Sequence, residues 1–142
     1  MLAILFTGLM AGIFFTWSNA VKPGIGQLSD RDYLTALQSM NRVILNVPFY
    51  ILFWCAVALS PLVVYFMVET ASVQVLIILL AATIVYWVGA FLMTLWGNVP
   101  LNHLVDRVEL SQMHTGELRE LRATVEQRWN LFNLIRTLSA IA

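Results

Sequence analysis

The chain has 142 residues, of which 60% are apolar and only 11% charged, with eight basic and eight acidic side chains and no net charge. A soluble domain carries charge on about a quarter of its residues, so this composition excludes an ordinary soluble globular fold. The absent basic excess argues against a nucleic-acid partner, and the single cysteine, Cys55, leaves no internal disulfide and is expected to pack as a small apolar group.

Taken in chain order, residues 1–21 hold no charge and predict a first membrane span. The run has no basic leader and no clear small-residue cleavage site, so it reads as a span and not as a signal peptide. On a helical wheel Gly8, Gly12, Thr16 and Asn19 share a stripe about 80° wide, with G-x-x-x-G spacing for close helix contact and two hydrogen-bonding groups at its polar end. Pro23, Gly24 and Gly26 predict a break. Ser29, with Asp32 three residues on, reads as a helix N-cap. Behind it Tyr33, Leu37, Met40 and Ile44 recur at helical spacing, which predicts a short amphipathic helix along the cytoplasmic interface.

A second uncharged run, Val43 to Val68, predicts a span at about 43–68, with Pro48 and Pro61 expected to kink or interrupt it. A third, Thr70 to Val105, predicts a span at about 72–98. Each run exceeds the ~20 residues that cross a hydrocarbon core. After a polar stretch from Ser111 to Gly116, Thr115 is expected to cap a helix whose positive first turn carries Glu117 and Glu120. This helix should run unbroken into a fourth span over 129–142. That span covers only ~20 Å, so a trimmed C-terminus is expected.

Lys22, Arg31 and Arg42 fall between the first two spans, and Arg107, Arg119, Arg122 and Arg128 between the last two. The turn between spans two and three holds only Glu69. The basic residues place both long connections in the cytoplasm and the termini outside. The eighth, Arg136, sits inside the fourth apolar run.

All seven asparagines, Asn19, Asn41, Asn46, Asn98, Asn102, Asn130 and Asn133, then fall at the cytoplasmic ends of the spans, as a ring to which each of the four contributes. On the fourth, Glu126, Trp129, Asn130, Asn133, Arg136 and Thr137 lie within about 120°, and Arg136 is ~10 Å deeper than Trp129. A cation at that depth costs ~2.5–3.5 kcal/mol unless satisfied. The polar face should therefore point inward, as a lined pocket or as helix glue worth ~0.6 kcal/mol per contact. Pro100 has no N–H, so the Trp96 carbonyl loses its helical donor. Trp17, Trp96 and Trp129 suit either a pocket wall or an interfacial belt. His103 has the right acidity for a general base. No second ligand is spaced for a metal site, and no nucleotide fingerprint or Ser-His-Asp set occurs.

"GIFFTWSNAVKPG" at 12–24, "LQSMNRVILNVPF" at 37–49, "WGNVPLN" at 96–102 and "WNLFNLIRT" at 129–137 resemble, in order and over nearly the whole chain, the DUF1772 or anthrone oxygenase family of small four-helix membrane proteins. Val47 stands between Asn46 and Pro48 where the pattern has Asn next to Pro, and His103 is outside the pattern. The resemblance implies oxidation of an anthrone to an anthraquinone by molecular oxygen, with Arg136 stabilising an oxyanion, Asn98, Asn102, Asn130 and Asn133 orienting substrate oxygens, and Trp17 and Trp129 flanking flat rings. His103 and Glu126 are the candidate bases.

The expected architecture is thus all-α, an integral membrane four-helix bundle with amphipathic helical cytoplasmic connections, in one domain over 1–142. The candidate site comprises Arg136 and His103 as catalytic groups, and Thr16, Trp17, Asn19, Asn41, Asn46, Asn98, Asn102, Trp129, Asn130 and Asn133 as substrate contacts, with no metal ligand. No cofactor is predicted, although haem or quinone stays open. The expected partners are the lipid bilayer and a small aromatic or amphipathic ligand, with a homo-oligomer possible. Whether the protein is an enzyme is left open by the sequence, the alternative being a non-enzymatic membrane module that binds a lipid, quinone or haem, or scaffolds a partner.

Overall fold

The computed structural model describes residues 1–142, and its regular structure is entirely helical. Five helices follow one another: α1 (Leu2–Ile25), α2 (Asp30–Ile44), α3 (Val47–Met67), α4 (Val73–Asp106) and α5 (Thr115–Ile141). Of these, α1, α3 and α4 are long and apolar enough to cross a membrane. Only 24 residues are buried, and large apolar side chains such as Ile51, Tyr65, Ile78 and Ile84 are more than half exposed. An apolar surface on this scale requires hydrocarbon as its solvent, so the protein is a membrane protein.

The prolines interrupt less than the sequence suggests. Pro48 sits in the first turn of α3, where no intrahelical donor is lost, and Asn46 caps that helix by accepting from the Phe49 N–H at 3.0 Å. Pro61 lies inside α3 without ending it. In α1 the expected break at Pro23 is instead a π-helical turn at Trp17–Val21 followed by one more turn to Ile25. Likewise α4 passes through π-helical turns at Trp87–Leu92 and Thr94–Asn98 and then continues beyond Pro100. Such wide turns rotate the side chains that follow and often accompany functional sites.

Two apolar clusters form the interior. One joins α1, α3 and α4 through Met10, Phe14, Phe53, Ala56, Val57, Tyr86 and Ala90. The other joins α2, the end of α4 and the first part of α5 through Tyr33, Leu34, Leu37, Leu101, Val105, Leu118, Val125 and Trp129. The amphipathic helix α2 thus packs Tyr33, Leu34 and Leu37 on protein and leaves Val43 exposed at its C-terminal end. The Ser29 cap is as expected, accepting from the Asp32 N–H. The cap of α5 is His114, one residue before Thr115, with the His114 N–H donating to Glu117.

Arginines hold the connections. Arg122 on α5 donates to the carbonyls of Gly26 and Leu28 and to Asp30 and Glu126, and lies 4.4 Å from the Tyr33 ring centre. Arg31 donates to the Leu110 and Met113 carbonyls, while Gln38 donates to the Val105 carbonyl at the end of α4. Orphan carbonyls at helix ends find their donors this way.

Helices α4 and α5 approach closely because two α4 residues lack a side chain. A Cβ on Gly89 would fall 1.9 Å from Ser139 Oγ and 2.5 Å from its Cβ, and one on Gly97 would fall 2.8 Å from the Phe132 ring. Gly89→Ala should therefore lower stability by ~1–3 kcal/mol. Adding Ser139→Gly should recover most of that, as read by thermal unfolding in detergent. A second expectation concerns pH. Burial, with the Glu126 carboxylate adding to it, pushes the Tyr33 phenol well above its ordinary value of 10.0 against the pull of Arg122. The folded protein keeps this proton longer than the unfolded chain, so the contribution is intact below about pH 10 and is lost as pH rises further. Stability should fall above pH ~10 in the wild type, and less steeply in Tyr33→Phe.

Candidate functional site

The second half of α5 turns its polar face inward. Asn133, Arg136 and Thr137 stand three and four residues apart, on one side of the helix, and are 1%, 6% and 4% exposed. The opposite side, with Leu131, Leu134 and Leu138, is about half exposed. The usual pattern is inverted, with the apolar side outward and the polar stripe covered by protein. It is covered by Phe14 and Ser18 of α1 and by Thr94 and Asn98 of α4, in a layer between the two apolar clusters.

Asn133 is the hub. Its amide nitrogen donates to the Phe14 carbonyl at 3.0 Å and to Ser18 Oγ at 2.9 Å, and its amide oxygen accepts from Arg136 Nη2 at 2.7 Å. Thr137 Oγ1 donates to the Asn133 carbonyl. Arg136 Nη1 reaches Thr94 Oγ1 at 3.4 Å, and Thr94 donates in turn to the Ala90 carbonyl. Aromatic faces complete the enclosure, since the guanidinium carbon is 4.5 Å from the Phe14 ring centre and 5.2 Å from that of Trp129. Desolvated cation–π contacts of this kind are worth ~2 kcal/mol or more.

No carboxylate joins Arg136. The ion pairs of the chain engage Arg42 and Arg122 only. Arg136 Nε has no hydrogen-bond partner in the chain, and neither has the buried acceptor Asn98 Oδ1, whose amide nitrogen donates to the Trp129 carbonyl at 3.2 Å. A buried guanidinium with neutral partners and an open donor favours negative charge beside it, in a medium where each such interaction is strengthened. The layer thus carries a positive charge that no acid of the chain balances.

The structure brings only part of the expected ring together. Asn98 and Asn133 are buried in the layer, and Asn102 and Asn130 stand at its edge. Asn102 Oδ1 accepts from Trp129 Nε1 at 2.7 Å and Asn130 Oδ1 from Trp17 Nε1 at 3.5 Å, with the two indoles 4.2 Å apart. Thr16 and Asn19 are exposed, on the face of α1 turned away from Arg136, and Gly8 and Gly12 above them have open space where a Cβ would be. Asn46 is exposed and serves as the α3 cap, also donating to the Val43 carbonyl. Asn41 is half buried, its amide nitrogen without a partner. Trp96 is 75% exposed. His103 is exposed and takes no part in these bonds, and Glu126 is held by Arg122. No group of three His, Cys, Asp or Glu side chains is placed to hold a metal ion.

Ser18, Thr94 and Phe14 were not among the sequence candidates. A signal for the α1 residues was present, because Met10, Phe14, Trp17 and Ser18 fall on one side of a helical wheel and the glycine stripe falls on the other. Thr94 lies one turn before Asn98, but inside an apolar run its hydroxyl is equally at home on its own helix backbone.

The difference between hub and periphery is measurable. Asn133→Ala should lower stability by ~1–3 kcal/mol, whereas Asn19→Ala should change it by less than about 0.5 kcal/mol, both by thermal or denaturant unfolding in the same detergent.

The family model described as anthrone oxygenase matches residues 42–142, which takes in α3, α4 and α5 with Thr94, Asn98, Asn133 and Arg136. Neither the characterised proteins nor the solved structures gave a significant match. With well over half of its length matched, the chain belongs to the anthrone oxygenase family.

Proposed function

We propose that this protein is an integral membrane oxygenase that oxidises a flat phenolic substrate of the anthrone type at the layer around Arg136. The observation that carries the reading is the buried Arg136 guanidinium, which has an unpartnered Nε and no carboxylate within the chain. A phenolate or enolate oxygen would supply the missing negative charge, and the Trp129 and Phe14 rings would bound the substrate plane. Asn98 Oδ1, a buried acceptor without a donor, would take a hydroxyl of the substrate.

In this reading the substrate methylene loses a proton to water and the resulting enolate is held by Arg136. The enolate itself passes electrons to molecular oxygen, so the protein needs no bound cofactor. One oxygen atom becomes the new quinone carbonyl, and the other leaves as water with the two methylene hydrogens. Arg136 acts by favouring the anion over the neutral substrate. Neither His103 nor Glu126 reaches this layer, so neither is assigned as the base. The C-terminal half of α5 would complete a four-helix bundle with α1, α3 and α4, its termini outside the cytoplasm and both long connections within it, as the distribution of Lys and Arg favours.

The test is oxygen uptake by purified protein with a panel of anthrones. Arg136→Met should reduce kcat/KM by about 10²–10³ while the variant still unfolds cooperatively within a few degrees of wild type. Equal turnover by the two proteins would overturn this mechanism. A Soret band or a stoichiometric quinone in the purified protein would support the non-enzymatic binding module in its place.

A further inference from the structure

A groove of about 490 Å³ opens between α1 and α5, lined by Ser18 and Lys22 of α1 and by Gln127, Asn130, Leu131 and Leu134 of α5. Its chemistry is divided. Ser18, Gln127 and Asn130 offer hydrogen bonds, Lys22 offers a charge, and the two leucines, 54% and 47% exposed, belong to the outward apolar side of α5.

The charge in the groove is unbalanced. Lys22 forms no ion pair, and no carboxylate is among the lining residues. Glu126, next to Gln127, is committed to Arg122 at 2.8 Å. Behind the Ser18 wall lies a second uncompensated cation, since Ser18 Oγ accepts from Asn133, which accepts from Arg136. A negatively charged occupant is favoured by both, and an ammonium group would find no acid to pair with. Lys22 is also the first charged residue after the uncharged run of residues 1–21, which puts it at the boundary where head groups lie and where a lysine chain reaches outward from the apolar zone.

We propose that this groove binds an anionic phospholipid, the phosphate at Lys22 with hydrogen bonds from Ser18, Gln127 and Asn130, and an acyl chain along Leu131 and Leu134. The site goes beyond the oxygenase reading and does not depend on it. A soluble anion would leave the leucines uncovered, and a zwitterionic lipid would bring a cation to a groove that already holds one.

Native mass spectrometry of the full chain tests this, with phosphatidylglycerol and phosphatidylcholine of identical acyl chains offered in equal amounts. One phosphatidylglycerol per chain should be retained roughly fivefold in preference to phosphatidylcholine, the factor expected for one lysine at a membrane surface. Lys22→Gln should bring the two lipids to parity and Lys22→Arg should keep the preference. Thermal unfolding supplies a second readout. Phosphatidylglycerol should raise the midpoint of wild type and not of Lys22→Gln, with the two proteins melting alike in detergent alone. Equal retention of both lipids by wild type, or a preference that survives Lys22→Gln, overturns the proposal. So does protection by inorganic phosphate equal to that by the lipid, which would make this a soluble-anion site. If 1-naphthol displaces the lipid and its own binding falls in Lys22→Gln, the groove is a port for phenols and the lipid proposal also fails.

Discussion

Burying one guanidinium in an apolar interior is the constraint around which the rest of this protein is arranged. A cation in an apolar interior is costly unless hydrogen-bond acceptors and polarisable or negative groups meet its charge. Arg136 receives an amide oxygen, a hydroxyl and two aromatic faces, contributed by α5, α4 and α1. Each of these partners is itself fixed. Asn133 is tied to the backbone and to Ser18 of α1, Thr94 to the preceding turn of α4, and the Trp129 indole to Asn102. The packing of α5 between α1 and α4 is therefore specified by hydrogen bonds with one geometry each. Apolar contact alone, in a lipid environment, would distinguish poorly between alternative helix arrangements.

The π-helical turns fit into the same scheme. On α4 they extend over Trp87–Leu92 and Thr94–Asn98, and five of the eight buried α4 residues, Gly89, Ala90, Thr94, Gly97 and Asn98, lie within them. A regular helix moves its inward face steadily around the axis. The wide turns delay that drift, so that small and polar residues stay against α5 from Gly89 to Asn98. Gly89 and Gly97 let the backbones approach, and Thr94 and Asn98 then reach α5 at hydrogen-bonding range.

Much of this was legible in the sequence, and the misses have physical causes. The uncharged runs marked the membrane-capable helices because a hydrocarbon core admits little else. The polar face of α5 was legible because a charged residue at helical spacing with asparagines cannot face lipid. The face of α1 was misread. Gly8 and Gly12 suggested close contact, yet the cation on α5 needs a ring over it, which Phe14 supplies and glycine cannot. Asn46 was counted with the ring because its depth matched, whereas an asparagine just ahead of a proline at a helix start is well placed as a cap. The ends of α1 and α4 were misplaced because the sequence penalty at Pro23 and Pro100 assumes regular bonding. The reach of Arg122 to the Gly26 and Leu28 carbonyls and to Asp30 was not legible, because backbone acceptors and contacts some 90 residues apart carry no sequence signature.

The eight basic side chains divide by what satisfies them, and the division separates architecture from chemistry. Arg31 and Arg122 take carbonyls at the ends of connections, and Arg42 pairs with Asp106. Removing any of these would expose backbone groups or an acid, a structural loss. Arg107, Arg119 and Arg128 are exposed and unpaired, in reach of water, whereas Arg136, also without a counter-charge, lies at the centre of the interior, and Lys22 stands at the rim of a groove with Ser18 and Asn133 between them. A protein selected only to fold could place leucine at 136, with fewer polar groups to bury. Retaining an unbalanced guanidinium there makes sense if the compensating charge arrives from outside the chain.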